Sequence, residues 1–235
     1  MTEGLPDSPF NKLARLVYSK LLGPLLVHYV KRDRDYTYKK FRLHVSAGVF
    51  HPGLFFSSRF FSSFLETLSV EGTSCLEIGC GSGLLSMVLV SKGARVKALD
   101  INPAAVKNTM DNFSRNKQLN TANIQVIESD LFGQLMPETF DTIVVNPPYY
   151  FADPTQPSEF AWYCGSEGDY FRRLFAGLRD YMKEDTNMYM SLSDKCDLNR
   201  IRSMAALNRF TLKVVQQKRI WGETNFIFSV KSTPE

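Results

Sequence analysis

The sequence lacks the long apolar runs that would place the chain in a membrane. The longest apolar stretch near the N-terminus, Leu21–Val27, is interrupted by Gly23 and Pro24. It falls far short of the roughly 20 residues needed to cross a bilayer. Glu3 and Asp7 stand where a signal peptide would carry basic residues. These features predict a cytoplasmic protein that does not bind a membrane.

Cysteine and histidine are scarce and are not arranged as metal ligands. The four cysteines include no CxxC pair, and the three histidines have no metal-ligand spacing. Cys80 lies in a glycine-rich segment but has no base near it in the sequence, so we do not expect a catalytic thiol there. The sequence therefore predicts free cysteines, structural histidines and no metal site.

The net charge of +4 is unevenly distributed along the 235 residues. Residues 1–50 carry nine Lys and Arg against four Asp and Glu, whereas the remainder has a net charge of −1. We predict a basic N-terminal extension of helical and extended chain at residues 1–48, followed by one domain at residues 49–235, since the chain is long enough for one sizeable core. The basic segment fits either a surface that faces nucleic acid or the ribosome, or a solvated helix face.

Short apolar runs alternate with longer helical patterns through most of the chain. That order is typical of a parallel sheet with crossover helices. Helices are expected at about residues 57–68 and 169–181. Further helices are expected to begin at Gly83, at Pro103, and at Ser193 or Asp194. The predicted fold is α/β, with a mostly parallel seven-stranded sheet, an antiparallel C-terminal edge hairpin and helices on both faces. The seven predicted strands are Ser74–Ile78, Val96–Asp100, Ile124–Glu128, Thr142–Val145, Asn187–Leu192, Thr211–Arg219 and Asn225–Lys231.

A glycine-rich turn, Glu77-Ile-Gly-Cys-Gly-Ser-Gly83, follows the first of these strands. Its glycines allow a tight turn and a close approach of the backbone to a ligand at the start of a helix. The dinucleotide motif would place its third glycine at Leu84, so nicotinamide binding is disfavoured. Asp100 ends the next strand, where a carboxylate can accept hydrogen bonds from ribose hydroxyls; the alternative is a helix N-cap.

Asp130 follows the third strand and is placed to accept a hydrogen bond from an adenine amino group, with Leu131 beside the ring. The alternative for Asp130 is a turn residue. Because the glycine turn and both aspartates occur in order at strand ends, the sequence predicts an adenosine-containing cofactor.

The segment Asn146-Pro-Pro-Tyr149 follows an apolar strand and predicts a second half of the site. Pro147 and Pro148 fix φ and lack N–H donors, which makes a stiff turn. The Asn146 amide and the Pro147 carbonyl can then both point at one external –NH₂ group, with the Tyr149 ring beside it. Such a site is expected to bind a planar amide or amine and to act by positioning and electrostatics.

Together with Asp100-Ile-Asn-Pro103 and Ser129-Asp130-Leu131, these motifs resemble the class I, Rossmann-like, S-adenosylmethionine-dependent methyltransferases of the "methyltransferase small" group. Within that group the chain looks like the HemK/PrmC-type glutamine N5-methyltransferases, which modify peptide release factors. The resemblance implies S-adenosyl-L-methionine as the cofactor and residues 49–235 as the methyltransferase domain. It implies that Glu77, Gly79, Gly81 and Gly83 hold the methionine part of the cofactor, Asp100 its ribose, and Asp130 and Leu131 its adenine. It also implies that the cofactor lies beside Phe50, His51, Cys80, Ile101 and Asn146. The target nitrogen would be bound by Asn146, Pro147, Pro148 and Tyr149.

The chain departs from that family before its first strand, and the departure leaves the substrate open. HemK/PrmC enzymes carry an acidic-Thr or Pro-Glu-Thr segment there, whereas this chain has Phe50–Ser58, in which Ser57 or Ser58 could supply a hydroxyl. The leading hypothesis is an N-methyltransferase for a protein glutamine side chain, such as that of a release factor. The alternatives are an adenine N6- or guanine N2-methyltransferase of rRNA, tRNA or DNA, and a non-catalytic cofactor-binding subunit. The sequence also leaves open a small activator subunit.

Overall fold

The computed structural model describes residues 32–54, 56–220 and 222–233. The predicted helical part of the N-terminal extension lies outside these residues. The described strands are β1 (Arg34–Tyr38), β2 (Phe41–Val45), β3 (Ser74–Ile78), β4 (Arg95–Asp100), β5 (Ile124–Glu128), β6 (Phe140–Val145), β7 (Met182–Ser193), β8 (Phe210–Ile220) and β9 (Glu223–Ser232). The described α-helices are α1 (Phe56–Leu65), α2 (Leu84–Ser91), α3 (Pro103–Arg115), α4 (Asp169–Leu178) and α5 (Leu198–Leu207).

Strands β3 to β9 form one seven-stranded sheet in the order β5-β4-β3-β6-β7-β9-β8. Pairs among β3 to β7 are parallel, whereas β9 runs antiparallel to both β7 and β8. The predicted fold, including its C-terminal antiparallel hairpin, is confirmed. Because the central strands are covered on both faces, they read as continuous apolar runs in the sequence.

The sheet separates two hydrophobic clusters, and successive residues of a strand enter opposite clusters. Cys75 of β3 packs in a cluster with residues of α1, α2 and α3. Its neighbour Leu76 packs in the other cluster, with residues of α4 and α5. This alternation follows from the two-residue period of a strand and confirms helices on both faces.

Several element boundaries differ from the prediction. Helix α4 ends at Leu178 and not at Tyr181, and α5 begins at Leu198 and not at Ser193 or Asp194. Helix α1 ends at Leu65, three residues before the predicted end, and β7 begins at Met182, five residues before the predicted start. Residues 183–185, which follow Met182 at the start of β7, are polar and exposed, so this part of the strand shows no apolar run in the sequence. The Thr186 hydroxyl, which donates to the Phe140 carbonyl at 2.6 Å, joins this part of β7 to β6.

Strands β1 and β2 form an antiparallel hairpin whose apolar side chains, including Phe41 and Leu43, belong to the cluster of α1, α2 and α3. Three buried asparagines, two in α3 and the third at its C-cap, contact β2. They are spaced four residues apart and hence lie on one helix face. Asn112 Oδ1 accepts from the His44 N–H at 2.7 Å, and Asn116 Oδ1 accepts from the Arg42 N–H at 3.0 Å. Asn108 donates to the His44 carbonyl at 2.7 Å. The boundary at residues 48 and 49 stays a prediction.

The carboxyl ends of β3, β4, β5 and β6 lie at one edge of the sheet because these strands are parallel. Ligands of open α/β sheets bind outside that edge. Among the helices of the described residues, none is long and apolar enough to cross a membrane.

Candidate active site

A cavity of about 330 Å³ lies at the carboxyl ends of the parallel strands, and it is lined by the glycine turn and by Asn146. Most residues predicted for the site meet there, although they come from separate parts of the chain. The predicted residues that line it are Phe50, Glu77, Gly79, Cys80, Gly81, Asp100, Ile101, Asp130, Leu131, Asn146, Pro147, Pro148 and Tyr149.

The glycine turn presents bare backbone to the cavity. The N–H groups of Gly79 and Cys80 donate to the Leu99 carbonyl at 2.8 and 2.9 Å, which ties the turn to β4. A Cβ atom added at Gly79, whose φ is +78°, would meet nothing within 4 Å. A Cβ atom added at Gly81 would meet only Phe50 Cβ, at 3.9 Å. Both glycines therefore leave open space that a ligand can occupy.

Gly83 has a different role from the other two glycines. It is the N-cap of α2 with φ +82° and does not line the cavity. A Cβ atom there would lie 2.8 Å from Thr109 Cγ2 of α3, so glycine permits the close contact between the two helices. The Thr109 hydroxyl lies 3.4 Å from Cys80 Sγ. Burial, together with Asp100 and Glu77, raises the pKa of the Cys80 thiol, which keeps it protonated.

Asp100 is held by backbone donors and keeps acceptor capacity. Its Oδ2 accepts from the Gly81 N–H and its Oδ1 from the Asn102 N–H, both at 2.9 Å. A carboxylate has about four lone-pair sites, so about two remain for a ligand such as a ribose diol. Burial raises the pKa of Asp100, and the two N–H donors oppose that shift. The N-cap of α3 is Asn102, which accepts from the Ala104 N–H at 3.0 Å.

Glu77 is 1% exposed and accepts a hydrogen bond from the Ser86 hydroxyl of α2. Burial raises the pKa of its carboxyl group to about 8. Glu77 is therefore mainly protonated at pH 7 when no cation is near, and a positively charged ligand would favour its ionised form.

Asp130 and Leu131 line the cavity after β5 in an unusual local conformation. Leu131 has φ +51°, and the Ser129 hydroxyl donates to its carbonyl at 2.7 Å. The Asp130 carboxylate is about half exposed and accepts from Arg173 Nη2 of α4 at 2.7 Å. An adenine amino group at Asp130 would therefore share the carboxylate with a guanidinium.

Only one of the two amide atoms of the Asn146 side chain has a hydrogen-bond partner among the described residues. Its Nδ2 lies 3.4 Å from Ser58 Oγ of α1, one of the two hydroxyls considered from the sequence. Its Oδ1 is buried and has no hydrogen-bond partner among the described residues. Burying an unpaired acceptor costs about 1–3 kcal/mol, so this oxygen is poised for a donor that enters the cavity. Burial also raises the pKa of Tyr149 and keeps its hydroxyl neutral.

Aromatic residues cover the target side of the cavity. The loop after Tyr149 contains a short 3₁₀-helix, Pro157–Ala161. It returns so that the Tyr150 N–H donates to the Trp162 carbonyl at 3.0 Å. The Trp162 ring lies 4.9 Å from the Phe50 ring, and both residues line the cavity. This contact closes the wall between the segment before α1 and the loop after β6.

The structure does not bring His51 to the cavity. Its ring is buried against Tyr36, with 5.5 Å between the ring centroids, and its Nδ1 accepts from the Gly53 N–H at 3.1 Å. Conversely, Tyr170 and Arg173 of α4 line the cavity but were missed by the sequence analysis. They belong to no local motif, and only the contact of α4 with the turn after β5, made by the Arg173–Asp130 ion pair, brings them to the site.

These features fit S-adenosylmethionine. The glycines leave a cradle that a Cβ atom would fill, Asp100 retains acceptors for a diol, and Glu77 can ionise beside a cation. The residues that would hold the cofactor are therefore those of the glycine turn and the ends of β4 and β5.

Comparisons with known proteins agree with this fit. A family model described as "methyltransferase small domain" matches residues 40–160. A candidate protein N5-glutamine methyltransferase of Methanocaldococcus jannaschii is 37% identical over 126 residues, which cover 50% of this chain and 60% of that protein. A tRNA1(Val) (adenine(37)-N6)-methyltransferase of Haemophilus influenzae is 32% identical over 78 residues, 32% of this chain and 34% of that protein.

A solved structure shares the fold. The 16S rRNA N2 G1207 methyltransferase of T. thermophilus, in complex with AdoMet and guanosine, superposes with a TM-score of 0.59 at 19% identity. The match covers 84% of this chain and 50% of that one. The alignments with the two curated relatives thus span less than two thirds of either protein.

Proposed function

Since this chain belongs to the methyltransferase small domain family, we propose that it transfers the methyl group of S-adenosyl-L-methionine to the nitrogen of a planar amide or amine. The bound cofactor supplies an electrophilic methyl group on a sulfonium. The observation that carries the proposal is the buried Asn146 Oδ1, which has no partner among the described residues and belongs to the wall of the cavity.

The nitrogen of an amide or aromatic amine is a poor nucleophile because its lone pair is delocalised. Hydrogen bonds from its –NH₂ group to Asn146 Oδ1 and to the Pro147 carbonyl would localise that lone pair and orient it. Pro147 and Pro148 are buried and stiff, so the acceptors need little reorganisation. The neutral Tyr149 ring would pack on the flat target.

For the substrate, we favour a protein glutamine side chain, with a peptide release factor as one candidate. The ionisable carboxyl groups on the cavity wall are Glu77, Asp100, Asp130, Asp153 and Asp169. The only guanidinium among the described lining residues, Arg173, is paired with Asp130. Nucleic-acid sites need cations for the phosphates, whereas a site for a neutral amide on a peptide does not need them. The similarity to the Methanocaldococcus jannaschii protein supports this choice.

The second candidate is a nucleic-acid amine, and the aromatic wall favours it. Tyr150 and Phe160 are 44% and 39% exposed beside Trp162, and all three line the cavity. Bases stack on such rings. The similarity to a tRNA methyltransferase supports this alternative as well.

Label transfer separates the two substrates. The protein is incubated with methyl-labelled S-adenosylmethionine and a cell extract, with Asn146→Ala as the blank. We expect label that survives nuclease and is released by protease as methylated glutamine. Label that disappears with nuclease would assign the target to nucleic acid, and no enzyme-dependent label with either polymer would contradict the proposed activity.

A charge variant tests the same choice at the site. Asp153 lines the cavity and accepts from the Ser166 N–H at 2.7 Å. Asp153→Asn keeps an acceptor for this N–H and removes the charge. The matched control is Asp185→Asn, at an exposed position of β7 outside the cavity. With a peptide substrate we expect little change in the salt dependence of KM for either variant. A nucleic-acid substrate would bind Asp153→Asn several-fold better at low salt.

A further inference from the structure

Tyr170 carries a second buried polar atom without a partner at the cavity. It is the second residue of α4, and its N–H donates to the Cys164 carbonyl at 3.0 Å, which fixes the start of the helix. Its side chain lines the cavity, and its hydroxyl is buried with no hydrogen-bond partner among the described residues. Buried unpaired hydroxyls are uncommon in native proteins and call for an explanation.

The surroundings of the hydroxyl identify it as a donor. Burial raises the pKa of Tyr170, and the carboxylates of Asp100 and Asp130 raise it further. The phenol is therefore neutral, and all three residues line the same cavity. Those carboxylates end β4 and begin the turn after β5, which are the positions proposed for the ribose and the adenine.

The two carboxylates and the phenol offer complementary chemistry to an adenosine. Ionised carboxylates only accept hydrogen bonds, so Asp100 and Asp130 can serve the ribose hydroxyls and the exocyclic amino group. The ring nitrogens of adenine are acceptors and need a donor. Arg173 is already paired with Asp130, whereas the Tyr170 O–H has no partner in the part of the chain that the structure describes.

We propose that the Tyr170 hydroxyl donates a hydrogen bond to a ring nitrogen of the cofactor's adenine and thereby selects an adenine nucleoside. This inference rests on the proposed function, because it requires the methyl donor to occupy this cavity. A buried hydroxyl that lacks a partner in the free protein destabilises it, and the bound purine would remove that cost.

Tyr170→Phe tests the proposal without a turnover assay. Calorimetric titration with S-adenosylhomocysteine should give about fivefold to tenfold weaker binding, as expected for one neutral hydrogen bond. The variant should also unfold at a temperature equal to or above that of the parent when no ligand is present, because it loses an unpaired buried hydroxyl. The matched control is Tyr181→Phe, whose hydroxyl donates to the Leu135 carbonyl at 3.2 Å outside the cavity. That control should lower the melting temperature and leave the affinity unchanged.

Deaza analogues locate the acceptor. S-adenosylhomocysteine in which N1, N3 or N7 of adenine is replaced by C–H is titrated against parent and variant. We expect one analogue to bind the parent about fivefold to tenfold more weakly than the natural compound, and this difference to vanish in Tyr170→Phe. Equal affinity of parent and variant for S-adenosylhomocysteine, or a deaza penalty of the same size in both, would overturn the inference while leaving the proposed function intact. A parent that does not bind S-adenosylhomocysteine at all would overturn both.

Discussion

The two sides of the cavity differ in how their polar groups are satisfied. On the cofactor side, formed by the glycine turn and Asp100, backbone N–H groups already occupy one lone pair on each Asp100 oxygen. On the target side, formed by Asn146, Tyr149 and Ser58, the Asn146 oxygen has no partner within the described chain. A group that binds the cofactor benefits from being fixed in advance by hydrogen bonds. A group that stabilises the charge developing in the transition state is most useful when its hydrogen-bond acceptor is free.

The largest expected effect is on the target side. Asn146→Ala removes the free acceptor, and kcat should fall on the order of 10²–10³-fold, as for the loss of one preorganised transition-state hydrogen bond. Cofactor affinity should stay within a few-fold of the parent. Single-turnover kinetics and calorimetry measure the two quantities separately.

Asn146→Asp is the informative companion, since it retains an acceptor and should keep more activity than Asn146→Ala. Asn208→Ala is the control, because the Asn208 side chain, at the C-cap of α5, donates to the Met204 carbonyl at 2.9 Å and does not line the cavity. Parental turnover in Asn146→Ala would show that the Asn146-Pro-Pro-Tyr149 turn merely ends a strand.

On the cofactor side, Asp100→Ala should lower cofactor affinity strongly and kcat only slightly, the opposite of Asn146→Ala. Hydrogen bonds to charged groups contribute about 1.5–3 kcal/mol, so cofactor affinity should fall about 10- to 100-fold. The methyl-transfer rate at saturating cofactor should change much less. Asp111→Ala, which removes an exposed partner of Lys107 on α3, is the control. Unchanged affinity in calorimetry would remove Asp100 from the cofactor site.

Glu77 should make the stability of the folded protein depend on pH. Its pKa rises from 4.5 to about 8 in the folded protein, so between these values the folded state binds more protons than the unfolded state. The free energy of unfolding should therefore fall as the pH rises from about 5 to about 8. Glu77→Gln cannot ionise, and its unfolding should depend less on pH, with greater stability than the parent at pH 9 in urea titrations.

The same variant tests the link between charge and cofactor. Binding a cation beside Glu77 should release a proton at pH 7, because the ionised carboxylate is then favoured. Titration calorimetry in buffers of different ionisation enthalpy should detect this release in the parent and not in Glu77→Gln, whose affinity should be about tenfold lower. Identical proton release in both proteins would assign the titration to another group.

The smallest expected effect concerns Ser58, which holds the target side in place. Its hydroxyl lies 3.4 Å from Asn146 Nδ2, so Ser58→Ala should free the amide to rotate and lower kcat about fivefold, which corresponds to about 1 kcal/mol. Cofactor affinity should not change. Ser203→Ala on the exposed face of α5 is the matched control. A drop in affinity equal to the drop in kcat would show that Ser58 belongs to the cofactor side instead.

Much of the fold followed from local patterns. The strands of the parallel core are short apolar runs because both of their faces are buried, and the glycine turn and the Asn146-Pro-Pro-Tyr149 turn are visible because glycine and proline restrict φ in characteristic ways. The asparagines of α3 show the limit of this approach. Asn108, Asn112 and Asn116 are each at most 2% exposed, yet a polar helix face in a sequence ordinarily indicates solvent.

The sequence by itself determined the α/β fold, the order of the strands' motifs and the residues at the ends of β3, β4 and β6, because these depend on periodicity and on backbone conformation within a few residues. Only the tertiary structure decided that His51 packs away from the cavity, that Arg173 pairs with Asp130 and that Tyr170 lines the same cavity as Asp100 and Asp130. These contacts join segments that are about 15 to 70 residues apart, and no local pattern encodes them. The placements of Arg173 and Tyr170 arise because crossover helices carry distant residues back to one edge of a parallel sheet.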